Sequence, residues 1–264
     1  MEYNDWFKDD YGESADGLPM TNLLSLASGN LDAMMNRAMC MMEMMVDYKE
    51  LRMMYTCAIK EIRTKFEVLD TEFKIRYQRN PIDHISTRLK SNQSILSKMA
   101  HKRIPFSLPN MEKYIQDIAG IRIICSYEDD IYELADALLK QDDILLLSRK
   151  DYIQTPKPNG YRSLHLIISL PVYFANQKKQ IPVEVQIRTI AMDFWASLEH
   201  QMKYKQEIPN QQEVSRRLLA CANQIATLDS EMLAIRQQIE AAQDKPTEED
   251  ILLQKLQHLD TPID

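Results

Sequence analysis

Short apolar segments typical of strands alternate with segments typical of helices from residue 121 onward. The predicted strands cover 121–126, 144–148, 163–170 and 182–189, and the predicted helices cover 131–140 and 191–204. Elements that alternate in this way pack as helices against a sheet. We therefore expect an α/β (α+β) fold with a mixed β-sheet flanked by helices.

Long helical patterns lie on both sides of this region. Apolar residues recur at three- and four-residue steps from residue 30 to about residue 77, and again as a heptad seam over 213–243. A further helix is predicted over 86–102, after Asn80 and Pro81 end the first. Most of the 16 methionines lie in the first 54 residues, a pattern that favours a packing surface over a cofactor site.

These patterns predict three regions. An acidic tail with a Met-rich helical extension occupies residues 1–70, the mixed-sheet core occupies 71–209, and an amphipathic helix with an acidic tail occupies 210–264. No apolar stretch is long enough for a membrane span, and the N-terminus lacks the basic region of a signal peptide. We therefore expect a cytoplasmic protein that does not contact membranes.

Cysteine and glycine are both sparse. The four cysteines have spacings that suit neither a metal site nor a disulfide framework, so buried free thiols are expected. Only two of the five glycines, Gly120 and Gly160, follow residue 29. A chain that avoids glycine for so long is expected to keep these two for backbone reasons, such as a positive φ or close approach to a ligand.

Basic side chains are concentrated between residues 75 and 103, although the net charge of the whole chain is −7. Such a cluster repels itself unless solvent or an anion accommodates it. Two interpretations stay open at this point: a solvated helix face and a binding site for a polyanion.

Polar and aliphatic residues alternate over 183–188, which places Glu184, Gln186 and Arg188 on one face of a strand. A solvated sheet face is one interpretation, and a cleft is the other. Asp117 precedes Gly120, and a carboxylate there that faces Glu184 would form a divalent-cation site. With the basic cluster, this pattern fits a nucleoside triphosphate site, whereas P-loop, dinucleotide and zinc motifs are absent from the sequence.

Four motifs occur in one order along the chain. They are Asp-Ile-Ala-Gly-Ile-Arg at 117–122, Lys-Pro-Asn-Gly-Tyr-Arg-Ser-Leu-His at 157–165, Glu-Val-Gln-Ile-Arg-Thr at 184–189 and Met-Asp-Phe-Trp-Ala-Ser-Leu-Glu-His at 192–200. In this order they resemble the synthetase domain of the RelA/SpoT-type alarmone enzymes, over about residues 70–240. Because the chain is short, it is most similar to the stand-alone small alarmone synthetases.

The resemblance implies a nucleotidyltransferase-like core and the activity of a GTP pyrophosphokinase. Such enzymes transfer pyrophosphate from ATP to the ribose 3′-hydroxyl of GDP or GTP and release AMP, which produces (p)ppGpp in the stringent response. The resemblance also implies Mg²⁺ as cofactor and a homo-oligomer, commonly a tetramer. Regulation by RNA or by the alarmone itself is left open.

The resemblance assigns roles to twelve residues. Two are implied as metal ligands and catalytic groups, Asp117 and Glu184. Four are implied to bind ATP, with the arginines on adenine and the lysines on phosphates: Arg88, Arg122, Lys90 and Lys98. Six are implied to bind GDP or GTP, with the tyrosine stacked on guanine: Lys150, Lys157, Tyr161, His165, Gln186 and Asp193.

Some positions depart from the family pattern. Asp193 stands where some relatives carry asparagine, at a position that the resemblance places near guanine, so the choice between GDP and GTP is left open. His101 stands where some relatives carry another basic residue. Alarmone hydrolysis is not expected, since the chain contains no His-Asp dipeptide. The alternatives to a synthetase are a catalytically silent nucleotide- or RNA-binding regulator on the same core, and an interaction scaffold built on the terminal helices.

Overall fold

The computed structural model describes residues 20–203 and 210–242, with side chains at 33–202, 210 and 212–242. Six helices occur in this part of the chain: α1 (Met20–Tyr77), α2 (Asn92–His101), α3 (Leu108–Tyr114), α4 (Glu128–Leu139), α5 (Ile190–Lys203) and α6 (Gln211–Ala242). Five strands accompany them: β1 (Ile82–Leu89), β2 (Ala119–Cys125), β3 (Leu145–Asp151), β4 (Leu164–Tyr173) and β5 (Lys178–Thr189).

The strands form one mixed sheet in the order β1-β2-β5-β4-β3. β2 and β5 run parallel, and the other neighbouring strands run antiparallel. Helices α4 and α5 contact β2 and β5. The predicted α/β (α+β) class, with a mixed sheet flanked by helices, is thereby confirmed.

β5 shows why one face of this sheet is core. Val183, Val185 and Ile187 are fully buried, whereas Glu184 and Gln186 between them are half-buried. Because side chains alternate faces along a strand, the aliphatic residues pack inward and the polar ones line the opposite face. The alternation predicted for residues 183–188 is therefore present, and the polar face positions the candidate site.

The predicted helix over 86–102 is wrong in its first part, because residues 82–89 form β1 and the helix begins only at Asn92. Within β1 the better-buried residues are Ile82, Ile85 and Leu89, and a bulge follows Ile82. Their spacing of three and four imitates a helix, because the bulge breaks the two-residue alternation. Ser91 then starts α2 by accepting a hydrogen bond from the amide of Ser94. The basic cluster therefore does not share one helix face, because Arg88 lies on β1, Lys98 on α2 and Lys90 between them.

The chain divides into two compact units, residues 1–52 and 53–264. In the first unit, the methionines described between residues 34 and 45 are exposed, with Met34 at 71%. In the second unit, the same helix buries Tyr55, Ile62 and Phe66 in the core. The domain boundaries at 70/71 and 209/210 stay a prediction.

All four cysteines are free, as expected, but only Cys125 is buried, while Cys40 and Cys221 are exposed. The expectation of buried thiols is therefore wrong for these two, which lie on outward faces of long helices. Among the helices of residues 20–203 and 210–242, none combines the length and the apolar character that crossing a bilayer requires.

Candidate active site

A row of polar residues crosses all five strands on one face of the sheet. Residues that pair directly across neighbouring strands point to the same side. Consecutive pairings give the row Lys150, His165, Gln186, Arg122 and Ser86, from β3 to β1. A second row lies two residues away along the strands, on the same face, and contains Glu184, Gly120 and Arg88.

The two rows border a cleft of about 380 Å³. Its lining residues share this face or adjoin it: Ser86, Thr87, Arg88, Lys90, Asp117, Gly120, Ile121, Arg122, Glu184 and Gln186. A Cβ added to Gly120 would meet only carbonyl oxygens at 3.6 Å or more. Gly120 therefore relieves no strain, and its contribution is to leave the floor of the cleft open.

Asp117 lies at the entrance to β2 and binds two lysines. Its Oδ2 atom is 2.7 Å from Nζ of Lys90 and 2.7 Å from Nζ of Lys98. Burial raises the pKa of this carboxyl, but hydrogen bonds from the two ammonium groups outweigh burial and hold the pKa below its ordinary value. Asp117 is therefore ionised at neutral pH.

Glu184 faces the same cleft from β5. Its Oε1 atom is 3.6 Å from Nδ1 of His165, and its Oε2 atom accepts a hydrogen bond of 3.1 Å from Gln186. Burial raises the pKa of Glu184, and the negative charge of Asp117 raises it further. The His165 ring and the Gln186 amide outweigh both effects, so the net pKa is lowered and the carboxylate is ionised.

Two buried polar atoms at the cleft lack hydrogen-bond partners: Oδ1 of Asp117 and Nε of Arg122. An unpaired carboxylate oxygen is suited to a cation, and an unpaired guanidinium nitrogen is suited to an anionic or polar ligand. No group of three or more His, Cys, Asp or Glu residues able to cage a metal occurs among the described residues. Mg²⁺ does not need one, since one or two carboxylates suffice when substrate phosphates and water complete the shell. Asp117 and Glu184 fit that pattern.

Arg88 and Arg122 lie diagonally across β1 and β2 on the same face. Arg88 is exposed and Arg122 is half-buried. Burial lowers the pKa of Arg122, nearby Arg188 lowers it further, and Asp193 opposes both. Each planar guanidinium group can stack on a ring and can also bind phosphate, whereas a lysine ammonium group binds phosphate but cannot stack.

A hydrogen-bond network occupies the other side of the cleft. Asp193 accepts from Nη1 of Arg188 at 3.0 Å and from Nη1 of Arg122 at 3.2 Å. Nη2 of Arg188 donates to Gln186 at 2.9 Å and also to the hydroxyl of Tyr161. That hydroxyl lies 2.8 Å from Nε2 of His165. The network joins four of the six residues predicted to bind GDP or GTP.

The remaining two are lysines at the edge of this network. Nζ of Lys157 lies 4.6 Å from the ring centroids of both Tyr152 and Tyr161. Lys150 is exposed on β3, directly opposite His165 in the strand register. The structure thus brings all twelve predicted site residues to one face of the sheet, while their roles stay a prediction.

Arg188 is a site residue that sequence reasoning did not select, although the alternation placed it on the correct face. Its side chain is 5% exposed and contacts three of the predicted residues. The signal in the sequence was the unbroken alternation over 183–188, but nothing in the sequence shows that a guanidinium at its end is buried.

Known proteins resemble this chain in sequence and in fold. The model of the region found in RelA/SpoT proteins matches residues 87–209. Among curated proteins, GTP pyrophosphokinase YwaC of Bacillus subtilis is 42% identical over 196 residues, covering 74% of this chain and 93% of that one. GTP pyrophosphokinase YjbM of the same organism is 36% identical over 189 residues, covering 72% and 88%.

Solved structures give the same result. Small alarmone synthetase 2 of Bacillus subtilis is 43% identical with a TM-score of 0.65, covering 73% of this chain and 99% of that one. Small alarmone synthetase 1 of Bacillus subtilis, bound to its product pppGpp, is 35% identical with a TM-score of 0.66, covering 74% and 98%. The chain therefore belongs to the RelA/SpoT family, among the small alarmone synthetases.

Proposed function

We propose that this protein is a (p)ppGpp synthetase that transfers the β,γ-pyrophosphoryl group of ATP to the ribose 3′-hydroxyl of GDP or GTP and releases AMP. The observation that carries the proposal is the placement of two ionised carboxylates, Asp117 and Glu184, in one cleft lined with lysine and arginine. Small alarmone synthetase 1 of Bacillus subtilis was solved with its product pppGpp and, separately, with AMPCPP, so that relative binds both a guanosine product and an ATP analogue.

Asp117 and Glu184 would hold Mg²⁺, which when bound neutralises charge on the triphosphate. The free Oδ1 atom of Asp117 supports this assignment, because Oδ2 already serves two lysines. Glu184 is also placed to accept the proton of the attacking 3′-hydroxyl. Its lowered pKa keeps it ionised, and a base must be ionised to accept a proton.

Lys90 and Lys98 are proposed to bind the ATP phosphates from the Asp117 side. Both ammonium groups lie within 2.7 Å of one carboxylate oxygen, so they already converge on one point of the cleft. Positive groups fixed around a transferring phosphoryl chain stabilise the charge on its oxygens, and this accounts for most of the catalysis in such transfers. Arg88 and Arg122 are proposed to sandwich adenine.

The network of Tyr161, His165, Gln186 and Asp193 is proposed to receive GDP or GTP. Lys157 now lies over the Tyr161 ring, where a guanine base would stack. The lysine therefore shifts along the ring when guanine binds, and Lys150 at the rim adds positive charge for the phosphates of the same nucleotide.

Self-association and a cytoplasmic location belong to the same proposal. Exposed apolar side chains on α6, namely Leu228 at 65%, Met232 at 54% and Ile239 at 55%, support a homo-oligomer. A homotetramer is the form we propose, and RNA or the alarmone itself is the class of regulator that the basic cluster of residues 75–103 would accept.

Isotope transfer tests the function. The protein is incubated with Mg²⁺, GDP or GTP, and ATP that carries ³²P at the γ position in one sample and at the α position in another. The γ label should move to a guanosine product, while the α label should stay in AMP. An acceptor without the 3′-hydroxyl should give no product. If neither AMP nor a labelled guanosine product forms with either acceptor, the proposed function is wrong.

A further inference from the structure

A buried carboxylate on α6 has no role in the proposed reaction. Asp229 is 8% exposed, and burial raises the pKa of its carboxyl. Its Oδ2 atom accepts a hydrogen bond of 2.6 Å from the hydroxyl of Thr189, the fully buried last residue of β5. A helix outside the sheet therefore holds the end of the strand that carries Glu184, Gln186 and Arg188.

The same threonine hydroxyl caps α5. It accepts a hydrogen bond of 3.1 Å from the amide of Met192 in the first turn. A hydroxyl has one proton and two lone pairs. Because that proton goes to Asp229, the lone pairs are free to face Met192. Asp229 thus fixes the rotation of the group that starts α5.

Arg188 and Asp193 flank this capped turn. Arg188 precedes Thr189, Asp193 lies in the first turn of α5, and the two side chains bind each other at 3.0 Å. Arg188 in turn contacts Gln186 and Tyr161. A shift of the turn would therefore move the side chains that we propose for GDP or GTP.

α6 also supports the loop that carries Lys157 and Tyr161. A Cβ added to Gly160, whose φ is 91°, would lie 2.5 Å from Cβ of Ala222 on α6. Nη1 of Arg162 donates to the carbonyl of Ala222 at 3.3 Å. The helix and the loop thus pack at a distance that admits no side chain between them.

We propose that α6 positions the acceptor half of the site, with Asp229 as a positioning residue that acts through Thr189 on Arg188 and Asp193. The inference rests on the proposed function, since it takes the Arg188 network to be the GDP or GTP subsite. The donor residues Lys90 and Lys98 lie on the other side of the cleft and bind Asp117, so their geometry does not pass through Thr189. Among the four residues proposed for ATP, Arg122 is the one that contacts the network, through Asp193.

Asp229→Ala and Asp229→Asn, compared with Glu231→Ala, test the proposal. Glu231 is an exposed carboxylate on the same helix, so its variant controls for loss of charge there. Asp229→Ala should raise the KM for GTP about tenfold, because the displaced Arg188 network no longer fits that nucleotide, and should raise the KM for ATP much less. Asp229→Asn keeps an oxygen that accepts from Thr189 and should restore most of the GTP affinity. Glu231→Ala should behave as wild type.

The same variants are titrated calorimetrically with GTP and with AMPCPP, which keeps the test independent of turnover. A loss of GTP binding clearly larger than any loss of AMPCPP binding supports the positioning role even if the wild type transfers no pyrophosphate, in which case only the proposed function fails. Unchanged GTP binding and KM in Asp229→Ala, or equal loss for both nucleotides, would overturn the inference. If Asp229→Ala does not fold, Thr189→Val and Thr189→Ser make the same comparison, because only serine keeps the hydroxyl.

Discussion

Single side chains in the cleft are held in charge states that suit phosphate chemistry. Asp117 and Glu184 are both partly buried, and each would lose its charge more readily if it stood alone. Lys90 and Lys98 reverse this for Asp117, and His165 with Gln186 reverse it for Glu184. The two carboxylates, His165 and Gln186 lie in motifs that the sequence displays, and the two lysines lie in its basic cluster. The contacts between them depend on distances that no sequence shows.

Replacing Asp117 by asparagine should abolish synthesis. The change keeps the volume of the side chain but removes the charge that balances two lysines and the oxygen that would bind Mg²⁺. We expect a fall in kcat of about a thousandfold or more, measured as AMP release, with the far-UV circular dichroism unchanged. Asp142→Asn, an exposed carboxylate, is the matched control. Wild-type turnover in Asp117→Asn would remove the metal assignment.

Replacing Arg88 by lysine should weaken ATP binding although the charge is kept. Lysine lacks the flat guanidinium that stacks on a purine, so we expect an AMPCPP Kd about tenfold higher by calorimetry. Arg76→Lys, at an arginine whose side chain is 70% exposed on α1, should bind as wild type. An unchanged Kd in Arg88→Lys would count against adenine stacking.

The acid side of the pH profile should depend on His165. The pKa of Glu184 is held below its ordinary value, so the carboxylate stays ionised as the pH falls and is protonated only below its ordinary titration range. His165→Asn removes the ring that lowers this pKa. The acid limb of kcat/KM should then move to higher pH. A limb that stays in place would show that Glu184 does not control it.

At the scale of elements, the turns and ends of strands decide what the site contains. The strands β2, β4 and β5 were predictable because their alternation is regular. β1 was not, since a bulge gives its buried residues the spacing of a helix. The seven-residue helix α3 was missed as well, because its length is too short for a periodic signal. The helix predicted over 86–102 misplaced Arg88, which lies on β1, but the role predicted for Arg88 does not depend on that assignment.

The two late glycines should respond differently to alanine. Gly160 has a φ of 91° and a Cβ there would lie 2.5 Å from Ala222, so Gly160→Ala should lower the free energy of unfolding by about 2 kcal/mol. An added Cβ at Gly120 meets only ordinary contacts, so Gly120→Ala should change the free energy of unfolding by less than about 0.5 kcal/mol. The same change should weaken AMPCPP binding, because Gly120 leaves the floor of the cleft open. Urea denaturation and calorimetry measure the two effects, and equal losses of stability would contradict this reading.

At the scale of the whole molecule, the fold brings together residues that are far apart in the chain. The class of the fold and the face of the site followed from the sequence, but the strand order β1-β2-β5-β4-β3 did not, because pairing partners are set by tertiary packing. That order brings Asp117 and Glu184 into one cleft, and it gives Arg122 two neighbours, Ser86 and Gln186, on opposite sides. About three quarters of the chain covers almost all of GTP pyrophosphokinase YwaC and of small alarmone synthetase 2.

The most direct measurement is a crystal structure of the protein with AMPCPP and Mn²⁺ in place of Mg²⁺, with the ion located by its anomalous scattering. The account predicts one ion that is bound directly by a carboxylate oxygen of Asp117, by a carboxylate oxygen of Glu184 and by phosphate oxygens of the analogue. An ion held by phosphates and water alone, with the two carboxylates turned away from it, would contradict the account.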